Sequence, residues 1–210
     1  LVRQPIPGHN LTGAIWKLAA LAPKRDERAC RVLCARLHHR RCGVREAAVC
    51  ALGHVGGGLD VLPRMKDCLN DSQGRVRAAA ARTLSSLAPK NDLSIIRALI
   101  VLLGDDCPDA CHAAVTCISQ LVEPGNVIVT QELSSLLSHP HPTTRLAALK
   151  TLALTSCRGD EVAVAVLVPC LEDIDLDIRC AAVDALRRVA LHGDPVTVRG
   201  ALQRLEHRDG

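Results

Sequence analysis

Val44-Arg45-Glu46-Ala47-Ala48-Val49-Cys50-Ala51-Leu52 decides the fold, because the chain writes the same line several times. Val76-Arg77-Ala78-Ala79-Ala80-Ala81-Arg82-Thr83-Leu84 repeats it 32 residues on. Ala110-Cys111-His112-Ala113-Ala114-Val115-Thr116-Cys117-Ile118, Thr144-Arg145-Leu146-Ala147-Ala148-Leu149-Lys150-Thr151-Leu152 and Ile178-Arg179-Cys180-Ala181-Ala182-Val183-Asp184-Ala185-Leu186 follow at 34-residue steps. A degenerate copy runs from Ala14-Ile15 to Leu18. A fixed period of this length is the signature of a repeat architecture, in which stacked neighbours bury a shared core.

Each copy reads as a helix. Apolar residues recur three, four, seven and ten positions after the Arg, the stripe of a 3.6-residue period. The paired Ala of each copy lets a neighbouring helix approach closely. Between the copies lies a second periodic set. Leu37, Leu69, Leu103, Leu137, Leu171 and Leu205 form one column, and Leu33, Met65, Leu99, Leu133, Leu167 and Ala201 stand four residues earlier. Seven earlier stand Cys30, Leu62, Ile96, Thr130, Val164 and Val198. The punctuation fits two helices per unit. Pro23, Pro89, Pro124-Gly125, Gly159 and Gly193 fall where a unit ends, while Pro108, Pro142 and Asp194-Pro195 fall where a helix starts. Gly56-Gly57-Gly58 follows a helix and reads as its cap and loop. Pro169 lies inside an expected helix and predicts a kink or an early end.

The expected fold is all-α: an α-solenoid of five to six helix hairpins of about 34 residues, running through residues 1–210 as one domain. The chain opens on a second helix and closes after a first one, around Arg208-Asp209-Gly210. Both ends would then show stripes that capping repeats cover, so a fragment or a subunit region of a larger protein or complex is expected.

These lines resemble the HEAT-repeat family, whose marks are an Asp near the end of the first helix and Val-Arg followed by Ala-Ala opening the second. Asp71 precedes Arg77 by six residues, and Asp173 precedes Arg179 by six. The resemblance implies that Asp71, Arg77, Asp173 and Arg179, with Arg45 and Arg145, belong to a hydrogen-bonded ladder between repeats. His39 and His139 replace the Asp before Arg45 and Arg145, and Cys111 replaces the Arg after Asp105, which predicts a soft joint around the third full unit. Tetratricopeptide repeats share the period but want aromatics, ankyrin repeats want Thr-Pro-Leu-His, and armadillo repeats are longer with a third helix.

Composition excludes several functions. There is one Trp, with no Phe and no Tyr, so the aromatic platforms of RNA-stacking modules and the aromatic belts of membrane proteins are missing. No apolar run approaches the ~20 residues of a membrane span. Eleven Cys follow no disulfide framework and include no C-x-x-C pair. They read as buried small side chains kept reduced, which places the chain in an intracellular, cytoplasm-like compartment. His38-His39 and His139-Pro140-His141 sit at turns three repeats apart and do not form a metal site. No P-loop, nucleophile elbow or His-Glu pair occurs, and no cofactor, metal or catalytic residue is expected.

The expected function is therefore a non-enzymatic scaffold that holds a protein partner along a curved helical surface. The alternatives are a HEAT-like lyase subunit of the bilin-attaching kind, or a binder of nucleic acid or anionic surfaces. Two sets of residues are candidates for the partner. On the second helices, Trp16, Cys50, Arg82, Thr116, Lys150 and Asp184 form an outward row, and His54, Ser86, Gln120, Leu154 and Arg188 form its neighbour. The other set is basic: residues 24–45 hold eight cations against Asp26 and Glu27, a balance of +6 in a chain whose net charge is +4. Arg25, Arg28, Arg36, Arg40 and Arg41 are expected to be exposed on one first helix and its turn, suiting an acidic protein surface better than nucleic acid.

Overall fold

Eleven α-helices follow one another in the computed structural model, which describes residues 8–56, 60–191, 193, 195 and 198–200. Six are second helices of a unit, each 14 residues long: α1 (Gly8–Leu21), α3 (Cys42–Val55), α5 (Gly74–Leu87), α7 (Pro108–Leu121), α9 (Pro142–Thr155) and α11 (Leu176–Val189). The first helices between them are shorter: α2 (Glu27–Cys34), α4 (Val61–Asp67), α6 (Leu93–Val101), α8 (Val127–Leu136) and α10 (Glu161–Leu167). There is no strand among the described residues. The chain is a stack of helix hairpins, with second helices in one row and first helices in the other.

The columns of the sequence form the core. Leu52, Leu84, Ile118, Leu152 and Leu186 are buried, as are Leu33, Met65, Leu99, Leu133 and Leu167. Burying such side chains contributes about 1.5–3 kcal/mol each, which the stacking of neighbours makes available. The columns loosen in the last units. Val183 and Val198 are exposed, because no further second helix packs over them among the described residues. Ala201, Leu205 and the segment Arg208-Asp209-Gly210 lie outside the described residues, as do Gly57, Gly58 and Asp194.

Helix ends follow local chemistry. Pro108 and Pro142 begin α7 and α9, where a missing N–H costs nothing. Pro169 does end its helix early: α10 stops at Leu167 and passes into a 3-10 segment, Val168–Glu172. Two other first helices tighten in the same way, at Cys68–Asn70 and Leu102–Gly104, so the proline falls where the repeat already changes pitch. Second helices lie against each other much more closely than first helices do. Their facing positions are small, Ala47, Ala79 and Ala113 among them, and all three are buried. Gly74 shows the closeness: a Cβ there would overlap Cys107 of the next unit. The stack therefore curves toward its second-helix side.

Candidate functional site: a groove across the second helices

Two ladders bind consecutive units, one along each edge of the second-helix row. The first is made of side chains. Arg45 donates from Nε and Nη2 to Asp71 of the next unit at 2.7 and 2.8 Å. Arg77 does the same to Asp105 at 2.7 and 2.6 Å, and Arg145 to Asp173 at 2.8 and 2.7 Å. The third donor of each Arg, Nη1, goes to a carbonyl six residues back in its own unit: His39 O, Asp71 O and His139 O. The six-residue spacing of Asp and Arg is thus not the ion pair itself. Asp71 and Arg77 meet through a carbonyl, while their carboxylate and guanidinium face opposite neighbours. Arg179 follows the same rule toward Asp173 O and Ile174 O, and has no carboxylate partner among the described residues.

Each rung is bidentate and little exposed, the strong form of an ion pair. Burial pushes the Asp71 and Asp105 carboxyls up, but the hydrogen bonds from Arg45 and Arg77 and from the backbone N–H two residues on outweigh it. Both stay below the usual carboxylate range. Asp173 is lowered chiefly by Arg145.

The second ladder is backbone. Arg25, Asn91, Gly125 and Gly159 have positive φ, and the N–H of each donates to the last turn of the next second helix, at Val55, Leu121, Thr155 and Val189 O, 2.6–2.9 Å away. Arg25 and Asn91 hold this conformation without being glycine, so the column is invisible to a search for Gly. A further column escaped the sequence reading although its spacing displays it: Asp26, Asp92, Asn126 and Asp160 cap the first helices, accepting from Ala29, Ser94, Val129 and Ala163 N–H groups.

One rung is missing, and both of its halves are gone. Cys111 stands where Arg stands in its neighbours, and the position 28 residues on holds His139 instead of Asp. His139 keeps only the turn role of the Asp, accepting the N–H of His141 at Nδ1, as His39 does for Arg41. Cys111 Sγ donates to Leu103 O at 3.4 Å. Of the five second-helix seams, α7–α9 is the loosest, while α5–α7 beside it is the tightest. Over the loose seam lies a groove of about 1030 Å³ that extends to α11. Its floor includes Leu103, Cys111, Val115, Leu146, Leu149 and Ala153; Thr116, Lys150, Leu154, Asp184 and Arg188 stand along it.

Those five belong to the two outward rows of the sequence reading. The remaining members extend the surface beyond the groove: Trp16, Arg82, His54, Ser86 and Gln120 are exposed on α1, α3, α5 and α7, and Cys50 is half-buried. The basic segment is not one patch. Arg25 sits in the turn before α2, bonded to the C-terminal end of α3, while Arg41 caps the N-terminal end of that same helix. Fourteen residues at 1.5 Å rise separate them by about 21 Å. Arg28 goes with the first end and Arg40 with the second, and Arg36 is half-buried.

Nothing in the titration is tuned for catalysis. All eleven thiols are free. Burial pushes Cys68 and Cys117 up to about 12 and Cys170 to about 11, and it raises Cys111 as well. Among the described residues, no three His, Cys, Asp or Glu gather as metal ligands would, and no helix is long and apolar enough to cross a membrane.

The profile of the HEAT repeats matches residues 13–85, 96–187 and 129–209. No curated protein matches the sequence. Among solved structures, an archaeal HEAT-like repeats protein from Thermococcus onnurineus NA1 superimposes with a TM-score of 0.57 at 19% identity, covering 89% of this chain and 82% of that one. The complex of CpcE and CpcF of phycocyanin lyase from Nostoc sp. PCC7120 gives 0.52 at 20%, covering 97% and 85%. A designed armadillo repeat protein in complex with a (KR)4 peptide gives 0.53 at 17%, covering 87% and 94%. At these identities the likeness is one of fold.

Proposed function

Because the chain belongs to the HEAT-repeat family, we propose that it is a non-enzymatic scaffold that holds a protein partner against its row of second helices. The observation that carries this reading is the groove over α7, α9 and α11. It is apolar along its floor and polar along its rim, and it is continuous with the exposed side chains of α3 and α5. Recognition sites combine those features, a desolvated centre inside a polar rim. The shifted groups support the absence of catalysis: thiols are raised and carboxylates lowered inside Arg pairs, the reverse of an acid or base poised near neutrality. Two neighbours by fold are seen with a bound peptide or a second subunit, the designed armadillo protein with (KR)4 and CpcE with CpcF. Eleven unpaired thiols favour a reducing compartment. The split of the basic segment into two ends of α3 makes it an accessory contact.

The test is a partner complex isolated from cells and re-measured with surface variants. Lys150→Glu and Leu154→Asp on the second-helix row should release the partner, and Arg31→Glu on a first helix should not. Loss with the first-helix change and retention with the other two would sink the reading.

A further inference from the structure

We infer that the seam between α7 and α9, left open by the missing rung, is a docking groove for a short polypeptide segment of a partner that carries apolar side chains and carboxylates. The inference rests on the scaffold reading and specifies its ligand. Three observations meet at one place. Both members of the rung are replaced there, by Cys111 and His139, while the flanking rungs Arg77–Asp105 and Arg145–Asp173 are intact. The seam is the loosest of the five, and the groove lies directly over it. At the other edge the seam is still stitched, by Gly125 N–H to Thr155 O at 2.9 Å. The two helices are therefore held at one end and unstapled at the end where Cys111 forms part of the floor.

Charge identifies the occupant. Asp105 and Asp106 at one end of the groove are both engaged by Arg77, and Asp184 pairs with Arg187. Lys150 and Arg188 stand over the same floor with no ion pair or hydrogen bond among the described residues. Lys150 is near enough to Cys111 to favour its thiolate, although burial dominates and the thiol is raised. The uncompensated charge of the groove is positive. A segment that covers Val115, Leu146 and Leu149 and offers carboxylates to Lys150 and Arg188 satisfies both parts, whereas a cationic peptide such as (KR)4 satisfies neither.

The experiment uses three labelled peptides of about four helical turns: leucine at helical spacing with glutamate elsewhere, the same with lysine for glutamate, and the same with serine for leucine. Fluorescence anisotropy should show the glutamate–leucine peptide binding at least about tenfold more tightly than either control. Lys150→Glu with Arg188→Glu should reverse the charge preference. Cys111→Arg with His139→Asp refills the rung, so its denaturation midpoint should rise while affinity for the glutamate peptide falls about tenfold. Equal binding of the lysine peptide, or an unchanged preference in the charge-reversed protein, overturns the inference. So does full affinity in the refilled protein once its midpoint has risen. If the natural partner is released by Trp16→Ala or Arg82→Glu but not by any groove variant, the groove is refuted and the scaffold stands. If no second-helix variant touches the partner, both fall.

Discussion

Replacing Arg77 by Ala tests the side-chain ladder at its best-defined rung. The guanidinium makes two bonds to Asp105, one to Asp71 O and one to Asp106, and its side chain is 14% exposed against 8% for Asp105. Asp106 is nearly fully exposed and adds little. After substitution the Asp105 carboxylate would keep only the Cys107 N–H, and Asp71 O would lose its partner. Breaking a fully buried pair by removing one member costs about 3–5 kcal/mol. This rung touches solvent at one side, so about 2–4 kcal/mol is expected, a large part of the ~5–15 kcal/mol that holds a typical domain. Arg75, two residues earlier, is the internal control. Its pair with Glu46 is 59% and 26% exposed, so Arg75→Ala should stay within about 0.5 kcal/mol of neutral. Urea denaturation followed by circular dichroism reads both. Because each unit contacts only its neighbours, the Arg77 variant should also broaden or split the transition at the α5–α7 interface. Equal costs for the two variants would refute the ladder as a source of stability.

Acid should remove the same contribution. Asp71, Asp105 and Asp173 have folded-state pKa values below their unfolded ones, so their stabilisation is complete above about pH 4 and is lost as pH falls through the lower, folded values; the wild-type midpoint should drop steeply below pH 4, and the Arg77→Ala difference should shrink there. Ala148→Leu, at a fully buried helix contact, should cost about 1–3 kcal/mol by overpacking, whereas exposed Lys150→Leu should be nearly neutral in thermal melts. Arg25→Gly should stabilise by up to about 1 kcal/mol and Gly159→Ala destabilise by about as much or more, since both positions have positive φ and a Cβ at Gly159 also meets Leu191; the opposite signs would refute the backbone ladder. Native-state alkylation near pH 8 should label exposed Cys157 and Cys180 first and Cys68, Cys117 and Cys170 last, and unfolding in denaturant without reductant should expose all eleven.

The helices and their buried columns were legible because period and burial are the same fact in a stacked repeat. Leu52 and its equivalents at 34-residue steps could face only one way. The rungs were legible as residue types but not as pairs, since the sequence puts Asp71 next to Arg77 while a long guanidinium reaches forward to Asp105. The outward rows on the second helices were legible too, but not where along them a groove opens. That needed Cys111 and His139 to be read as one change rather than two. The positive-φ column was hidden by Arg25 and Asn91, which adopt a backbone state their side chains do not advertise. The basic segment misled because closeness in sequence became separation along α3.

The pairing of rungs across 26 or 28 residues makes the chain a text with a grammar of agreement between clauses. An Arg lost in one unit strands a carboxylate in the next, so the two positions change safely only together, as 111 and 139 have done. The grammar also says where the text can be cut. Removing the 34 residues from Cys111 through Thr144 would bring Arg145 into the place of Cys111 and delete His139 with its mismatch. The shortened sentence would agree throughout, each Arg followed by its Asp, and it would no longer contain the one gap where another molecule could be inserted.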